Sequence, residues 1–210
     1  NEVVNNTQGI FVASAGDTTP PNQIVDNEAR ANGVGIGVFG RSPSPRNQFS
    51  GNEITDNGNG IFLLSEDEDV TDNTVVNSSG VGIGLASEDV EVSENHVRGS
   101  GDAGIYVQQG SLNSITDNVV EDNGEAGIRV GGAAGSDVDN NTLVNNTATG
   151  DQMYGIWLFE TDDNELRENT VNENTNTGIY LNRTSTGNEI RDNVANDNGR
   201  LEGPPPVGTY

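Results

Sequence analysis

The side chains able to do chemistry in this 210-residue sequence are few in kind. There is one histidine, His96, one methionine, Met153, and no cysteine, and all nine basic residues are arginine. Against them stand 33 aspartates and glutamates. Copper chemistry is poorly supplied, because such ions need clustered imidazole, thiolate or thioether donors. The usable groups are carboxylate, guanidinium and aromatic ring. Asp102 and Glu125 occupy equivalent places, one repeat apart, ahead of Tyr106 and Arg129. A carboxylate pair beside a sugar site is the apparatus of glycoside chemistry, which makes Asp102, Glu125 and Arg129 the candidate catalytic residues. Their spacing does not demand that role, since acids are common in every loop. A polysaccharide lyase would have to use arginine as its basic side chain.

A second set of residues recurs at regular intervals. Phe11, Gly37, Phe62, Gly84, Tyr106, Arg129, Trp157 and Tyr180 each occupy the third place of a Gly-Ile-x-Val/Leu tetrapeptide. In a strand the side chains alternate, so if Ile and Val/Leu face inward this third residue faces out. With Phe39 and Phe159 one place beyond the tetrapeptide, seven of the ten aromatic residues fall on or beside one outer sheet. Rings on a sheet face can stack on pyranoses, with Asn, Asp and Arg bonding the hydroxyls, and Arg129 between Tyr106 and Trp157 could hold a uronate. The candidate glycan-binding residues are Phe11, Phe62, Tyr106, Arg129, Trp157, Phe159 and Tyr180. The competing reading is that these rings pack beneath long loops, another domain or a second copy.

The acids form columns of their own: Asp26, Asp72, Glu94, Asp117, Glu168 and Asp192 in one, Asp56, Asp122, Glu173 and Asp197 in another. The loop run Glu66, Asp67, Glu68 and Asp69, stacked near Glu88 and Asp89, offers hard oxygen ligands, so Ca2+ or another surface cation is the one cofactor the sequence suggests. A solvated acidic face is the plainer account. Gly131 to Asp137 is only roughly like a calcium nonapeptide and occurs once.

The elements that must position these groups are repeats. Asn118 lies in a unit Asn-x-apolar-x-x-Asn-x-apolar, followed by a polar spacer and Gly-Ile-x-Val. Aligning the chain on it gives a ladder of Asn27, Asn52, Asn73, Asn95, Asn118, Asn141, Asn169 and Asn193, with Asn1 at its head. The steps of about 21 to 28 residues are the period of a solenoid. One apolar column precedes the ladder (Ile24, Phe49, Val70, Val92, Ile115, Val138, Leu166, Ile190). Another follows it (Val3, Ala29, Ile54, Val75, Val97, Val120, Leu143, Val171, Ala195). Short strands that cannot bury a face alone can do so stacked turn on turn. The predicted fold is therefore all-β: a single-stranded right-handed parallel β-helix of about eight turns over residues 1–198, with a Pro-rich tail or linker at 199–210. Asparagine is expected both to take the left-handed backbone of the bends and to hydrogen-bond along the axis. Insertions are expected at Ala13 to Asn22, Phe39 to Asn47 and Thr147 to Tyr154.

The Asn-x-Ile-x-x-Asn and Gly-Ile-x-Leu motifs resemble the parallel β-helix repeats of NosD-like proteins and of the wider carbohydrate-binding and sugar-hydrolase group. The resemblance spans roughly residues 1–198. It speaks strongly for the fold and weakly for function. The copper role that NosD kinship implies is opposed by the donors named above.

A net charge of −24 with no lysine resembles proteins adapted to high salt, where carboxylates keep a surface hydrated while ions screen their repulsion. It excludes nucleic acid as a natural partner, since phosphate binding needs a positive footprint. No 18-residue apolar run marks a membrane span. The sequence thus reads as a module of a larger secreted or cell-surface protein of a halophilic archaeon. Its expected partners are a polysaccharide or glycan and the other domains of its parent chain. Non-catalytic glycan binding or adhesion is the preferred function, with a polysaccharide-processing enzyme on the same face and a ligand-free structural spacer as the alternatives.

Overall fold

The computed structural model describes residues 1–14, 20–40, 46–132, 138–150, 153–182 and 184–199. These are strands and turns throughout, and no helix long and apolar enough to cross a membrane occurs among them. Three parallel sheets of seven, eight and eight strands run along one axis, and every ladder joins strands one repeat apart. The chain is therefore a coil of seven to eight complete turns, each contributing one strand to each sheet. The core is narrow and consists of stacked columns. Ile36, Ile61, Ile83, Ile105, Ile128 and Ile156 from one sheet meet Ile54, Val75, Val97 and Val120 from the second and Phe49, Val70, Val92 and Ile115 from the third, all fully buried.

The glycine that opens each Gly-Ile-x-Val strand has a packing cause. A Cβ on Gly104 would lie 2.3 Å from Val120 Cγ1, and one on Gly82 would lie 2.4 Å from Val97 Cγ1. The strand enters the core at this point so close to the opposite sheet that only a hydrogen fits.

The asparagine ladder is a continuous hydrogen-bond chain. Oδ1 of Asn52 accepts both the backbone N–H and the Nδ2–H of Asn27 (each 3.0 Å), while Asn52 Nδ2 donates to Asn73 Oδ1 and back to the carbonyl of Ile24 (each 2.8 Å). Asn73, Asn95 and Asn118 repeat the pattern. Each amide spends donors and acceptor on buried backbone that would otherwise be unpaired.

Two expectations are corrected here. Asn118 hands on to Asn146, not Asn141, at 3.0 Å, and Asn146 to Asn169. Asn141 belongs to the third corner, between Asn113 and Asn164. The apolar columns shift with it: Leu143 takes the place expected for Val138, and Ala148 the place expected for Leu143. The error is a slip of one five-residue unit in one turn. Within a turn the asparagines themselves recur every five residues (Asn113, Asn118, Asn123), so the pattern fits equally well one unit off. The extra residues of that turn follow Val130, whereas Thr147–Thr149, part of the expected insertion, is a regular strand.

The second correction concerns the bends. The ladder asparagines are not left-handed. The residue before them is: Asp26, Asp72, Glu94, Asp117, Asn145, Glu168 and Asp192, with Asp56, Asp122, Glu173 and Asp197 at the next corner, all at φ between 52° and 58°, while Gly51 takes this place before Asn52 at 63°. The acidic columns are therefore the bends themselves: Asp and Asn tolerate this region better than most side chains with a Cβ, and Glu94, Glu168 and Glu173 adopt it too. The segments 133–137 and 200–210, which hold most of the calcium-like stretch and the Pro-rich tail, lie outside the described residues, as do the middles of the first two expected insertions.

Candidate functional site

The outward column is one register line across the eight-stranded Gly-Ile-x-Val sheet: Phe11, Gly37, Phe62, Gly84, Tyr106, Arg129, Trp157 and Tyr180. Alternation places each between two inward aliphatic residues, as Arg129 lies between buried Ile128 and Val130.

The rings adopt two postures along this line. At the glycine positions they lie down. The Phe62 ring covers Gly84, where a Cβ would meet its Cδ2 at 2.6 Å, and the Phe39 ring covers Gly37. Phe11, 50% exposed, sits 5.2 Å from Phe39. Further along they stand and stack. The Arg129 guanidinium is sandwiched 4.7 Å from the Tyr106 ring and 4.5 Å from the Trp157 ring, with Phe159 at 6.0 Å. Tyr154 then fills the space between Trp157 (5.1 Å) and Tyr180 (5.0 Å, 14° between planes). Tyr154 was missed by the tetrapeptide pattern because it precedes the motif glycine, and its ring contacts with Trp157 and Tyr180 are what place it among the outer rings. The stacked rings use many of their faces on one another, so the open aromatic surface is at Phe11 and at Tyr180, which is 38% exposed, with the partly exposed Phe62 between them.

The charged candidates do come together. Arg129 Nη1 donates to Glu125 Oε2 at 2.8 Å, and its side chain is only 19% exposed. Asp102 lies one turn before Glu125, joined by the Glu125 N–H to Asp102 carbonyl bond at 3.1 Å, and its carboxyl is near enough to act on that of Glu125. Burial and the Asp102 carboxyl push the Glu125 carboxyl up from the usual range, with the neighbouring Arg129 opposing. Burial also raises the Tyr106 phenol; Arg129 pulls it down, and Asp102 and Glu125 add to the rise. Arg129 Nε and Trp157 Nε1 are buried with no hydrogen-bond acceptor, a cost that the cation–π contacts offset. Arg129 is thus a largely buried cation held between two rings and paired with Glu125.

The proposed cation site does not assemble. Among the described residues no three of His, Cys, Asp and Glu converge to hold a metal. Glu68 is fully buried and faces the core, where Asn47 N–H (2.9 Å), Asn47 Nδ2 (2.9 Å) and Ser65 Oγ (2.6 Å) all donate to it. It stands in the third-corner amide column at the position before Val90, which offers no side-chain acceptor. A carboxylate there receives without needing to pass a proton donor on. Asp67 and Asp89 are left-handed bends, and Asp69 pairs with Arg46 (3.0 Å). Glu66 and Glu88 remain outer acids with nothing to complete a shell. Copper fits no better, as the sole histidine, His96, is exposed and bonds Glu121 at 3.2 Å.

Residues 79–203 match the family described as "Right handed beta helix region", and residues 1–98 match that described as "Periplasmic copper-binding protein (NosD)". No curated protein matches the chain in sequence. Among solved structures, a mutant of the periplasmic alginate epimerase AlgG superposes with a TM-score of 0.71 at 15% identity, over 89% of this chain and 55% of that one. The A-module of Azotobacter vinelandii mannuronan C-5 epimerase AlgE4 gives 0.66 at 15% identity, over 95% of this chain and 62% of that one. An alginate lyase from Paenibacillus sp. str. FPU-7 gives 0.50 at 12% identity, over 93% and 90%. The chain thus spans little more than half of the two epimerase structures, and at these identities the likeness is one of fold.

Proposed function

The chain belongs to the right-handed β-helix family, and from that premise we propose that the outer face of its Gly-Ile-x-Val sheet binds a polysaccharide lying along the solenoid axis, without turning it over. One observation carries this reading: the outward register line bears a ring or the ring-stacked Arg129 at six of its eight positions, and the other two, Gly37 and Gly84, are covered by the Phe39 and Phe62 rings. A row of apolar faces, open at Phe11, Phe62 and Tyr180 and flanked by carboxylates, suits the alternating C–H faces and hydroxyls of a sugar chain. The solved structures of like fold carry the names of alginate epimerases and a lyase, which is in keeping with a polysaccharide but brings no residue across to this chain. A periplasmic or cell-surface location follows from the same reading.

Binding is preferred to hydrolysis because Arg129 engages Glu125 at 2.8 Å and so takes up a carboxylate that a glycosidase would leave facing sugar or water. The raised Glu125 carboxyl supports the second reading, an enzyme with Glu125 as its acid. Affinity electrophoresis against a polysaccharide panel tests the first: Phe62→Ala and Tyr180→Ala should each weaken retardation by about two- to tenfold, the worth of one ring contact. Retardation that both variants leave unchanged would remove the basis of the proposal. Release of reducing or unsaturated ends that Glu125→Gln abolishes would promote the enzyme.

A further inference from the structure

The class of polysaccharide can be taken further, on the assumption that this face binds one at all. Within the outward register line Arg129 is the one residue with a positive charge. A uronate carboxylate needs an unoccupied fork of N–H donors. Arg129 does not present one: Nη1 is bound to Glu125, its two planar faces lie against Tyr106 and Trp157, and Nε is buried. Glu125 pairs with it, Asp102 lies one turn away, and the whole chain carries −24. A polyanion approaching this face meets carboxylates and finds the one cation of its outward line, Arg129, spoken for. An uncharged sugar meets open rings, with carboxylate oxygens able to accept its hydroxyl protons. We propose that the face is selective for neutral polysaccharides and rejects uronate polymers, with Glu125 as the specificity-determining residue because it holds Arg129 out of reach.

The intact chain is run in native affinity gels cast with a neutral glucan, a neutral mannan, alginate or polygalacturonate, at about 0.15 M and about 1 M NaCl. The two conditions separate local rejection from long-range repulsion, since the Debye length falls from ~8 to ~3 Å between them. Retardation is expected with a neutral polymer at both salts and with neither uronate at either. Glu125→Gln, with its fold checked by circular dichroism, leaves Arg129 without its ionic partner and should gain retardation by uronate at least about tenfold, a gain that Arg129→Ala added to it should erase. Uronate binding by the unaltered chain would overturn the neutral-sugar assignment while leaving the polysaccharide reading intact. A Glu125→Gln chain that still ignores uronate would overturn the specificity role given to Glu125, since Glu125 would then not be what excludes it. No retardation by any polymer at either salt would overturn both.

Discussion

Glu125 is the residue whose titration carries most information. Burial and the Asp102 carboxyl both favour its protonated form, so the folded state binds this proton more tightly than the unfolded chain does. Its contribution to stability is present in full below the unfolded carboxylate pKa and is lost as pH rises through the higher folded value. In a carboxyl-carbon NMR titration Glu125 should have a midpoint above that of the outer glutamates, and Asp102→Asn should bring it down. A Glu125 midpoint unmoved by that change would separate the pair. Glu68 is a buried acid that accepts three hydrogen bonds. Glu68→Gln replaces one acceptor oxygen with a donor among the Asn47 and Ser65 donors, and should cost roughly 1–3 kcal/mol in urea unfolding for the polar group left mismatched.

At the scale of the element, the strand and corner of one turn are held by contacts to the next turn. Gly104→Ala forces a methyl group against Val120 Cγ1 at 2.3 Å and the Gly127 carbonyl oxygen at 2.9 Å, neither of which can retreat without opening the core. It should lower stability by about 1–3 kcal/mol in the same assay. Gly84→Ala also carries a close contact, but with the outer Phe62 ring, which can swing into solvent. It should cost less fold stability and disturb the face more, and a larger loss at Gly84 than at Gly104 would mean that the outer rings carry more of the fold than the inner columns. The corner acids explain themselves at this scale too, being the residues that hold the left-handed bend next to most of the ladder asparagines.

The whole molecule is a one-dimensional stack, and its stability is a sum of turn-to-turn terms. Ile54, Val75, Val97 and Val120 in the middle turns are fully buried, while Ile190 and Val194 in the last turn are 41% and 46% exposed. Hydrogen exchange should therefore be fastest at the ends and slowest around residues 54–130. The charge of −24 is also a property of the whole: stacked corner carboxylates repel one another at inter-turn spacing unless ions screen them. The melting temperature should rise with salt, and a value indifferent to it would detach the acidic composition from any adaptation to salt.

The repeat, the fold class and the outward line from Phe11 to Tyr180 were legible in the amino-acid order alone. The two-residue alternation of a strand and the fixed period of a coil leave little freedom over which side chain faces which way. The order could not choose between Asn141 and Asn146, because its five-residue spacing is the same one unit off, and the choice was made by the hydrogen bond from Asn118 and the packing of Leu143 above Ile115. Nor could it tell that Glu68 points inward while its neighbours bend the chain, since an acid has the same letter in either place. Only the stacked turns decided that Arg129, which looked like an open hand for a uronate, is closed between Tyr106, Trp157 and Glu125. A side chain's availability depends on its neighbours in space, and two of these, Tyr106 and Trp157, come from turns 23 and 28 residues away.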